Sequence, residues 1–575
     1  MIFKNNIYSK IKKHLSKTQF FQFNLFIFFS IIAMLLEMIG ISLIIPIINI
    51  FTQDQITFSK FVFLNNLDLN QYPKINLIII SLGCLIFVYL FKTIFLTLIS
   101  YKQGKFLTDI KRSISEKLFI NYLQRPYEFY LNKNSFELIR NINDVINFGV
   151  LLSSVLMFLT EITILVGISL LLIYFEPLGS IITITIIGLI GILFSNKVKK
   201  KAEFWGQERR NADGYKLNVM QESFRLIKEI KILNIDKFFI SRFISSNNIS
   251  AINQFKHLFV LSLPRYWFEL IAIFGFTILI LILTYIDDGT NNIIATIGLF
   301  AAATFRLLPS IIRMINNIQQ IHFALPVLNN LSEEFKIQNL IEKNSNDQKI
   351  NFSIKKDLIL NNISFKYENN ENEVLSNINL KIEHGSIIGI KGPSGAGKTT
   401  FINIILGLLK PNNGQVLVDG VDINQNPSSW QKNIGYVPQS IVLIDDTLKN
   451  NIALGVDENN IDENKINNCL KNSQLENFIL NLEKGINTTV GELGSRLSGG
   501  QQQRIGIARS FYNDPKVLIL DEFTSALDNH TEEKIIGEIL NFSKIKTIII
   551  ISHKLSTLSK CDKIYELTKG GLKLL

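Results

Sequence analysis

The stretch Gly392-Pro-Ser-Gly-Ala-Gly-Lys-Thr399 fits the pattern GxxxxGK[ST], and its flanks decide how it is read. Before it, Ile387 to Lys391 is a short apolar run that predicts a buried strand; after it, about Thr400 to Leu409 predicts a helix. Strand, glycine-rich turn and helix in that order make a cradle for phosphate. The glycines let backbone N–H groups wrap the anion, and the helix N-terminus adds partial positive charge. Gly392, Pro393, Ser394, Gly395, Ala396 and Gly397 supply that cradle, with Thr400 just behind it. Lys398 is placed to reach β- and γ-phosphates, and Thr399 to ligate Mg²⁺ through its hydroxyl.

Farther along, Val517-Leu-Ile-Leu-Asp521-Glu522 reads as a second buried strand, ending in two carboxylates. Open α/β sheets gather their ligands at the carboxyl ends of the strands, so both acids are expected beside the phosphate loop. Asp521 is the expected Mg²⁺ partner and Glu522 the expected general base for an attacking water. Across residues 351–575 short apolar runs alternate with helical patterns and Gly-containing turns, which predicts a soluble α/β domain with a parallel sheet.

The first half has different physics. The chain of 575 residues is 47% hydrophobic and only 19% charged, with 43 Phe, whereas a soluble domain carries about 25% charged residues. Six apolar stretches precede residue 325: about Phe20 to Phe51, Ile75 to Ser100, Phe148 to Phe175, Leu178 to Phe194, Leu258 to Tyr285 and Ile293 to Leu308. Each is near the roughly 20 residues that a helix needs to cross the hydrocarbon core. The first follows Lys10, Lys12, Lys13 and Lys17 like a signal peptide, but its apolar run is too long and no A-x-A site follows, so it is expected to stay as a span. The fold class is therefore a helical six-span membrane domain over 1–335, a polar Asn- and Lys-rich linker over 336–350, and a P-loop ATPase domain over 351–575.

Cations between spans two and three (Lys102, Lys105, Lys111, Arg112, Lys117, Arg125) and between four and five (Lys197, Lys199, Lys200, Lys201, Arg209, Arg210) mark the cytoplasmic side; the opposite loops offer Glu176 with Pro177, and Asp287 with Asp288. Both termini are then cytoplasmic, and the membrane is expected to be the bacterial inner one. The same bias accounts for the net charge of +11, and no nucleic-acid-binding motif accompanies it. Cys84, Cys469 and Cys561 lie too far apart in sequence for a CxxC or zinc pattern.

Between the phosphate loop and Asp521 stands Leu497-Ser-Gly-Gly-Gln501, which resembles the signature motif of ATP-binding cassette (ABC) transporters. Six spans followed by one such cassette is similar to the half-transporter layout of ABC exporters, and the resemblance covers essentially the whole chain. It implies ATP and Mg²⁺ as cofactors, Tyr367 stacked on adenine, Gln439 sensing Mg²⁺ and the membrane domain, and His553 at the γ-phosphate. Ser525-Ala-Leu-Asp528 resembles the loop through which paired cassettes communicate, and Glu492 fits the segment before the signature. Phe523, where a small residue is usual, and Lys554, where Arg is common, depart from the pattern. The resemblance further implies that Ser498, Gly499, Gly500 and Gln501 act in trans on ATP held by a second cassette. One phosphate loop and one signature per chain imply a dimer, most simply a homodimer, with a heterodimer as the alternative. By the same resemblance, coupling helices are expected at roughly Tyr122 to Leu131 and Asp213 to Met220.

Lys92, Arg265, Arg306 and Arg313 fall toward the cytoplasmic ends of spans two, five and six, and Arg306 and Arg313 are seven residues apart, nearly on one helix face. Cations at membrane depth are rarely idle, so an anionic lipid head group is one expected partner. The competing reading is internal: Lys92 snorkelling, Arg265 pairing with Glu269, and Glu37 and Glu161 neutralising the arginines. Thr57 to Leu67 suggests an external amphipathic helix. Among ABC exporters this arrangement is similar to the flippases of lipid-linked oligosaccharides, which implies a polyprenyl-pyrophosphate-linked glycan as cargo; Lys92 departs from the arginine expected there, and the two cations are not interchangeable at a phosphate. Multidrug, peptide or lipid A export, and a membrane-anchored ATP-dependent regulator, are the alternatives.

Overall fold

The computed structural model describes residues 7–52, 73–175, 177–286, 290–342, 351–352, 354–368, 370, 372–541, 546–568 and 571–575. The external segment Thr57 to Leu67, the loop acids Glu176, Asp287 and Asp288, and most of the expected linker lie outside them.

The apolar stretches fold as helices that outrun any bilayer. Ser16 starts the first with a capping box: its hydroxyl accepts from Gln19 N at 3.2 Å while its own N–H donates to Gln19 Oε1 at 2.9 Å. The chain then runs through Lys17–Ser42 and Ile44–Thr52, Lys74–Gln124, Ser135–Phe175, Pro177–Arg225, Asp236–Ile286 and Thr290–Glu342. At 1.5 Å per residue, helices of 51, 49 and 53 residues exceed a hydrocarbon core of about 30 Å more than twofold, so the basic stretches between spans are helical continuations. Among the described residues, 17–48, Lys74–Gln124, Ser135–Phe175 and Asp236–Gly275 are long and apolar enough to cross a membrane. The fourth and sixth expected stretches lie within Pro177–Arg225 and Thr290–Glu342. That last helix continues through Glu342, into the region expected as linker.

The turns differ from expectation in one place. Arg125 is extended, Pro126 follows, and Tyr127–Asn132 forms a short helix that overlaps the expected first coupling segment. Asp213 to Met220, in contrast, lies inside the unbroken helix Pro177–Arg225. The second turn comes later, at the short helix Ile227–Leu233, which Asn234 ends in the left-handed conformation at φ 53°.

Residues 1–125 and 132–344 form one compact unit; 126–131 and 345–575 form another. The first packs Phe23, Phe148, Leu151, Leu152 and Ile168 out of solvent. A polar network sits among the basic extensions of its helices: Arg125 donates to Glu334 Oε2 at 3.1 Å, Asn141 donates to Tyr122 Oη at 3.1 Å, and Arg210 donates to Asp144 Oδ2 at 2.7 Å.

The second unit holds two sheets. An antiparallel one has the order β2-β1-β4-β5, built from Asp357–Phe365 (β1), Leu375–Glu383 (β2), Asn413–Val418 (β4) and Val421–Asp422 (β5). The other has the order β10-β9-β3-β8-β7-β6, where β3 is Ile387–Lys391, β6 Ile434–Val437, β7 Val517–Asp521, β8 Thr547–Ile551, β9 Lys563–Thr568 and β10 Gly571–Leu574. From β9 to β6 all pairings are parallel. Continuous runs such as Ile548 to Ile551, 0–1% exposed, are what a strand buried on both faces requires.

Candidate functional site

Parallel pairing sends the carboxyl ends of β3, β8, β7 and β6 to one edge, and each carries a site residue at or just beyond its last strand position. Gly392 follows β3, Asp521 ends β7 with Glu522 next, His553 lies two residues past β8, and Gln439 two past β6. Five residues separated by up to 161 positions thus share one rim.

The phosphate loop is shaped by its glycines. Gly395 and Gly397 sit at φ 80° and 92°, where a side chain is strained. Gly392 is held differently: a Cβ there would stand 2.4 Å from the Leu567 carbonyl oxygen. Gly397 is the N-cap of the helix Lys398–Ile405, which begins two residues before the expected start and ends four before the expected end. No side chain caps this helix, so its first N–H groups remain for an anion. Pro393, Ser394, Gly395 and Thr399 are exposed, whereas Ala396 and Thr400 are buried.

The charged groups of the site satisfy one another. Lys398 Nζ donates to Gly392 O at 2.7 Å and lies 2.8 Å from His553 Nε2. His553 Nε2 is 3.0 Å from Glu522 Oε1, and Gln439 Nε2 donates to Glu522 Oε2 at 2.6 Å. Glu522 itself has φ 45°, a left-handed backbone held by its N–H donating to Ile551 O at 2.9 Å. Beside it, burial first and the neighbouring Glu522 second push the Asp521 carboxyl up to about 6, against a smaller pull from Lys398. The Asp521 carboxyl, the adjoining Glu522 and the exposed Thr399 hydroxyl of the loop offer oxygen donors, the ligand type that a hard divalent cation takes.

Tyr367 packs edge-on against Phe365, with ring centroids 5.0 Å apart, and its hydroxyl is 2.9 Å from Thr400 Oγ1. Ser498 caps the helix Gly499–Tyr512 in a capping box with Gln501. Ser498 and Gly499 are exposed, while a Cβ at Gly500 would meet the Ala526 carbonyl at 3.1 Å. Sequence reasoning missed what joins these segments. Gln503 Nε2 donates to Ser525 Oγ at 2.8 Å and its Oε1 accepts from Ala526 N at 3.0 Å, tying the signature helix to the Ser525 to Asp528 loop. Both departures have structural roles as well. Phe523 is 0% exposed within the apolar core, and Lys554 Nζ donates to the buried Glu532, which also accepts from Thr557 Oγ1 at 2.9 Å.

In the first unit, three of the four expected cations are ion-paired. Lys92 Nζ lies 2.9 Å from Glu37 Oε2, Arg306 Nε donates to Glu37 Oε1, and Arg313 Nε donates to Glu161 Oε1 at 2.5 Å. Glu37 is 3% exposed, and Lys92 Nζ also sits 4.3 Å from the centre of the Tyr89 ring. Arg265 and Glu269 are both exposed, and no ion pair joins them.

Comparison with known proteins agrees with this geometry. Residues 23–308 match the family model described as ABC transporter transmembrane region, and 375–525 the one described as ABC transporter. The chain is 30% identical over 477 residues to the ATP-dependent lipid A-core flippase 2 of Colwellia psychrerythraea, covering 82% of this chain and 80% of that one. Over 220 residues it is 42% identical to the Toxin RTX-I translocation ATP-binding protein of Actinobacillus pleuropneumoniae, a match spanning 38% of this chain and 31% of that relative. A solved bacterial Atm1-family ABC exporter with ATP bound shares its fold at a TM-score of 0.75 and 22% identity, covering 94% of this chain and 93% of the other.

Proposed function

The chain belongs to the ABC transporter family as an exporter-type half-transporter, and on that premise we propose that it carries an anionic, phosphate-bearing lipid from the cytoplasmic to the outer leaflet of a bacterial inner membrane, both its termini cytoplasmic. ATP hydrolysis in the cassette drives the transport. In this reading the cargo is a polyprenyl-pyrophosphate-linked oligosaccharide or a lipid of the same chemistry, and the half-transporter works as a dimer, most simply of identical chains.

The site residues then have these roles. Gly392 to Thr400 wrap the triphosphate, Lys398 leaves the Gly392 carbonyl for the β- and γ-phosphates, and Tyr367 meets the adenine. Thr399, Asp521 and Gln439 hold Mg²⁺, which when bound offsets phosphate charge. Glu522 accepts the proton of the attacking water, and His553 turns to the γ-phosphate. Ser498, Gly499, Gly500 and Gln501 complete the cage of the opposite cassette, a role supported by the exposure of Ser498 and Gly499 at a helix N-terminus. Two nucleotides clamped between paired cassettes favour closure; reversing a 1:99 population takes ~5.5 kcal/mol of differential binding, and hydrolysis removes it.

One observation carries the substrate reading: Lys92 and Arg306 share the single carboxylate of Glu37, leaving the membrane-embedded cluster one positive charge in excess. A phosphate-bearing head group is the complement of such a site. The flippase relative favours a second cargo of the same class, a phosphorylated glycolipid of the lipid A type. Proteoliposomes with labelled polyprenyl-pyrophosphate glycan test the proposal. ATP is expected to move the label between leaflets, and Arg306→Ala with Arg313→Ala to abolish movement while basal ATPase persists; unaffected flipping in the double variant rejects the cation site. Competition by lipid A decides between the two cargoes.

A further inference from the structure

Glu37 is the least exposed member of the membrane charge cluster, and it holds two cations from two other helices. Lys92 from Lys74–Gln124 takes one of its oxygens and Arg306 from Thr290–Glu342 the other. Lys92 and Arg306 are 14% and 26% exposed at the side chain, against 3% for Glu37, so the cations face an approaching ligand and the acid stands behind them. A guanidinium has five N–H donors, and Glu37 occupies the Nε of Arg306. Two unneutralised cations at this depth are costly, which makes the carboxylate their resident counter-ion whenever no lipid is bound.

We propose that Glu37 is an exchangeable counter-ion: an incoming anionic head group takes Lys92 and Arg306 from it, and Glu37 takes them back as the lipid leaves. This deepens the substrate reading above and rests on it. A phosphate of charge near −2 outcompetes one carboxylate for two cations, whereas a neutral or zwitterionic head group does not, so the exchange selects for phosphate-rich lipids. It also promotes release, because the departing phosphate leaves behind cations that are paired again at once.

The test separates the two claims. The probe is undecaprenyl phosphate titrated into phosphatidylcholine proteoliposomes, with lipid-stimulated ATPase as readout. Glu37→Gln is expected to lower the half-saturating lipid fraction about ten-fold while also lowering the maximal stimulated rate, since tighter ground-state binding without the returning carboxylate slows release. Glu37→Asp is expected to restore both values toward the wild type. A second readout needs no substitution: labelling of Glu37 by a hydrophobic carbodiimide, followed by mass spectrometry, is expected to rise several-fold when undecaprenyl phosphate, but not phosphatidylcholine alone, is present, because a carboxyl no longer engaged by Lys92 and Arg306 is open to the reagent. Unchanged half-saturation in Glu37→Gln, or labelling indifferent to the anionic lipid, overturns the exchange. If Lys92→Ala and Arg306→Ala leave the lipid response intact, it is the substrate reading itself that fails.

Discussion

Gln439 Nε2 donates to Glu522 Oε2 at 2.6 Å, so the carboxylate proposed as general base is engaged by the loop at the end of the neighbouring strand. His553 stands against its other oxygen at 3.0 Å. Nucleotide entry is expected to break both contacts, because the roles proposed for Gln439 and His553 take both side chains to the phosphates and their Mg²⁺.

Replacing Glu522 by Gln keeps the size and the hydrogen bonds of the side chain but removes its basicity. ATPase activity is expected to fall by about 10²- to 10⁴-fold, the usual worth of a general base, with ATP binding retained. Vesicle ATPase and equilibrium nucleotide binding check this together, and residual activity within a few-fold of the wild type contradicts the assignment.

Two glycines of the phosphate loop are expected to respond differently to alanine. At Gly392 the new Cβ meets a backbone carbonyl at 2.4 Å, so the loop or β9 must move, costing about 1–3 kcal/mol and most of the nucleotide affinity. At Gly395 the surrounding space is open and only the φ of 80° opposes the change, about 1–2 kcal/mol. Thermal shift in the absence of ATP, together with nucleotide titration, separates the two, and equal effects refute the steric argument.

The phosphate loop and the Asp521 strand were legible because phosphate chemistry fixes residue type and spacing locally: glycines where backbone must turn, a lysine at one distance, carboxylates at a strand end. Tyr367, Gln439 and His553 carry no such local signature and were found only through family resemblance. Gln503 and the Lys554–Glu532 pair were not legible at all, since each acts on a segment about 22 residues away whose proximity exists only in the folded sheet. The second turn between the long helices departs from its expected place for a different reason. Asp213 to Met220 lies inside the helix Pro177–Arg225; the chain turns only beyond it, where Asn234 ends a short helix in the left-handed conformation and Asp236 starts the next. The Arg306–Glu37 and Arg313–Glu161 pairs were anticipated as an alternative to substrate binding, because composition alone cannot tell whether a membrane acid faces a given cation.

The Asp521 carboxyl, raised to about 6 by burial and by Glu522, gives a signed pH effect. Its ordinary value is 3.8, so between those values the folded, nucleotide-free protein binds more protons than the unfolded chain and stability rises as pH falls. Asp521→Asn removes the penalty of ionisation at pH 7–8 and is expected to stabilise the nucleotide-free protein there by about 1–2 kcal/mol, after discounting for partial exposure, with the advantage vanishing by about pH 4. Tm of both proteins across that range is the measurement. An advantage that grows on acidification has the wrong sign and sinks the explanation.

Lys554 is predicted to matter for structure where the family pattern favours arginine. Its ammonium, 40% exposed, donates to Glu532, which is 6% exposed, and to the Thr524 carbonyl at 3.3 Å. Lys554→Ala leaves a buried carboxylate with Thr557 as its remaining donor, a loss of about 1–3 kcal/mol. Lys554→Arg is expected to keep most of that stability, since a guanidinium reaches the same acid. Denaturant midpoints for the two variants decide, and equal destabilisation refutes the charge argument.

Gln503 offers the sharpest separation of stability from coupling. Both ends of its amide are used, one on Ser525 and one on Ala526, so the signature helix and the Ser525 to Asp528 loop move as one body. Gln503→Leu keeps the volume in a position only 5% exposed, but it strands the Ala526 N–H, at a cost of about 1–3 kcal/mol. If the link only props up the fold, ATP binding, ATPase and Tm should decline together. If it transmits closure between cassettes, nucleotide affinity of the isolated half-site should hold while the ATPase rate and its dependence on a second ATP fall about ten-fold, since a coupling of ~1.4 kcal/mol is that factor. The second pattern is expected, because Ser498 and Gly499 stand exposed at the N-terminus of the helix that Gln503 ties to the loop.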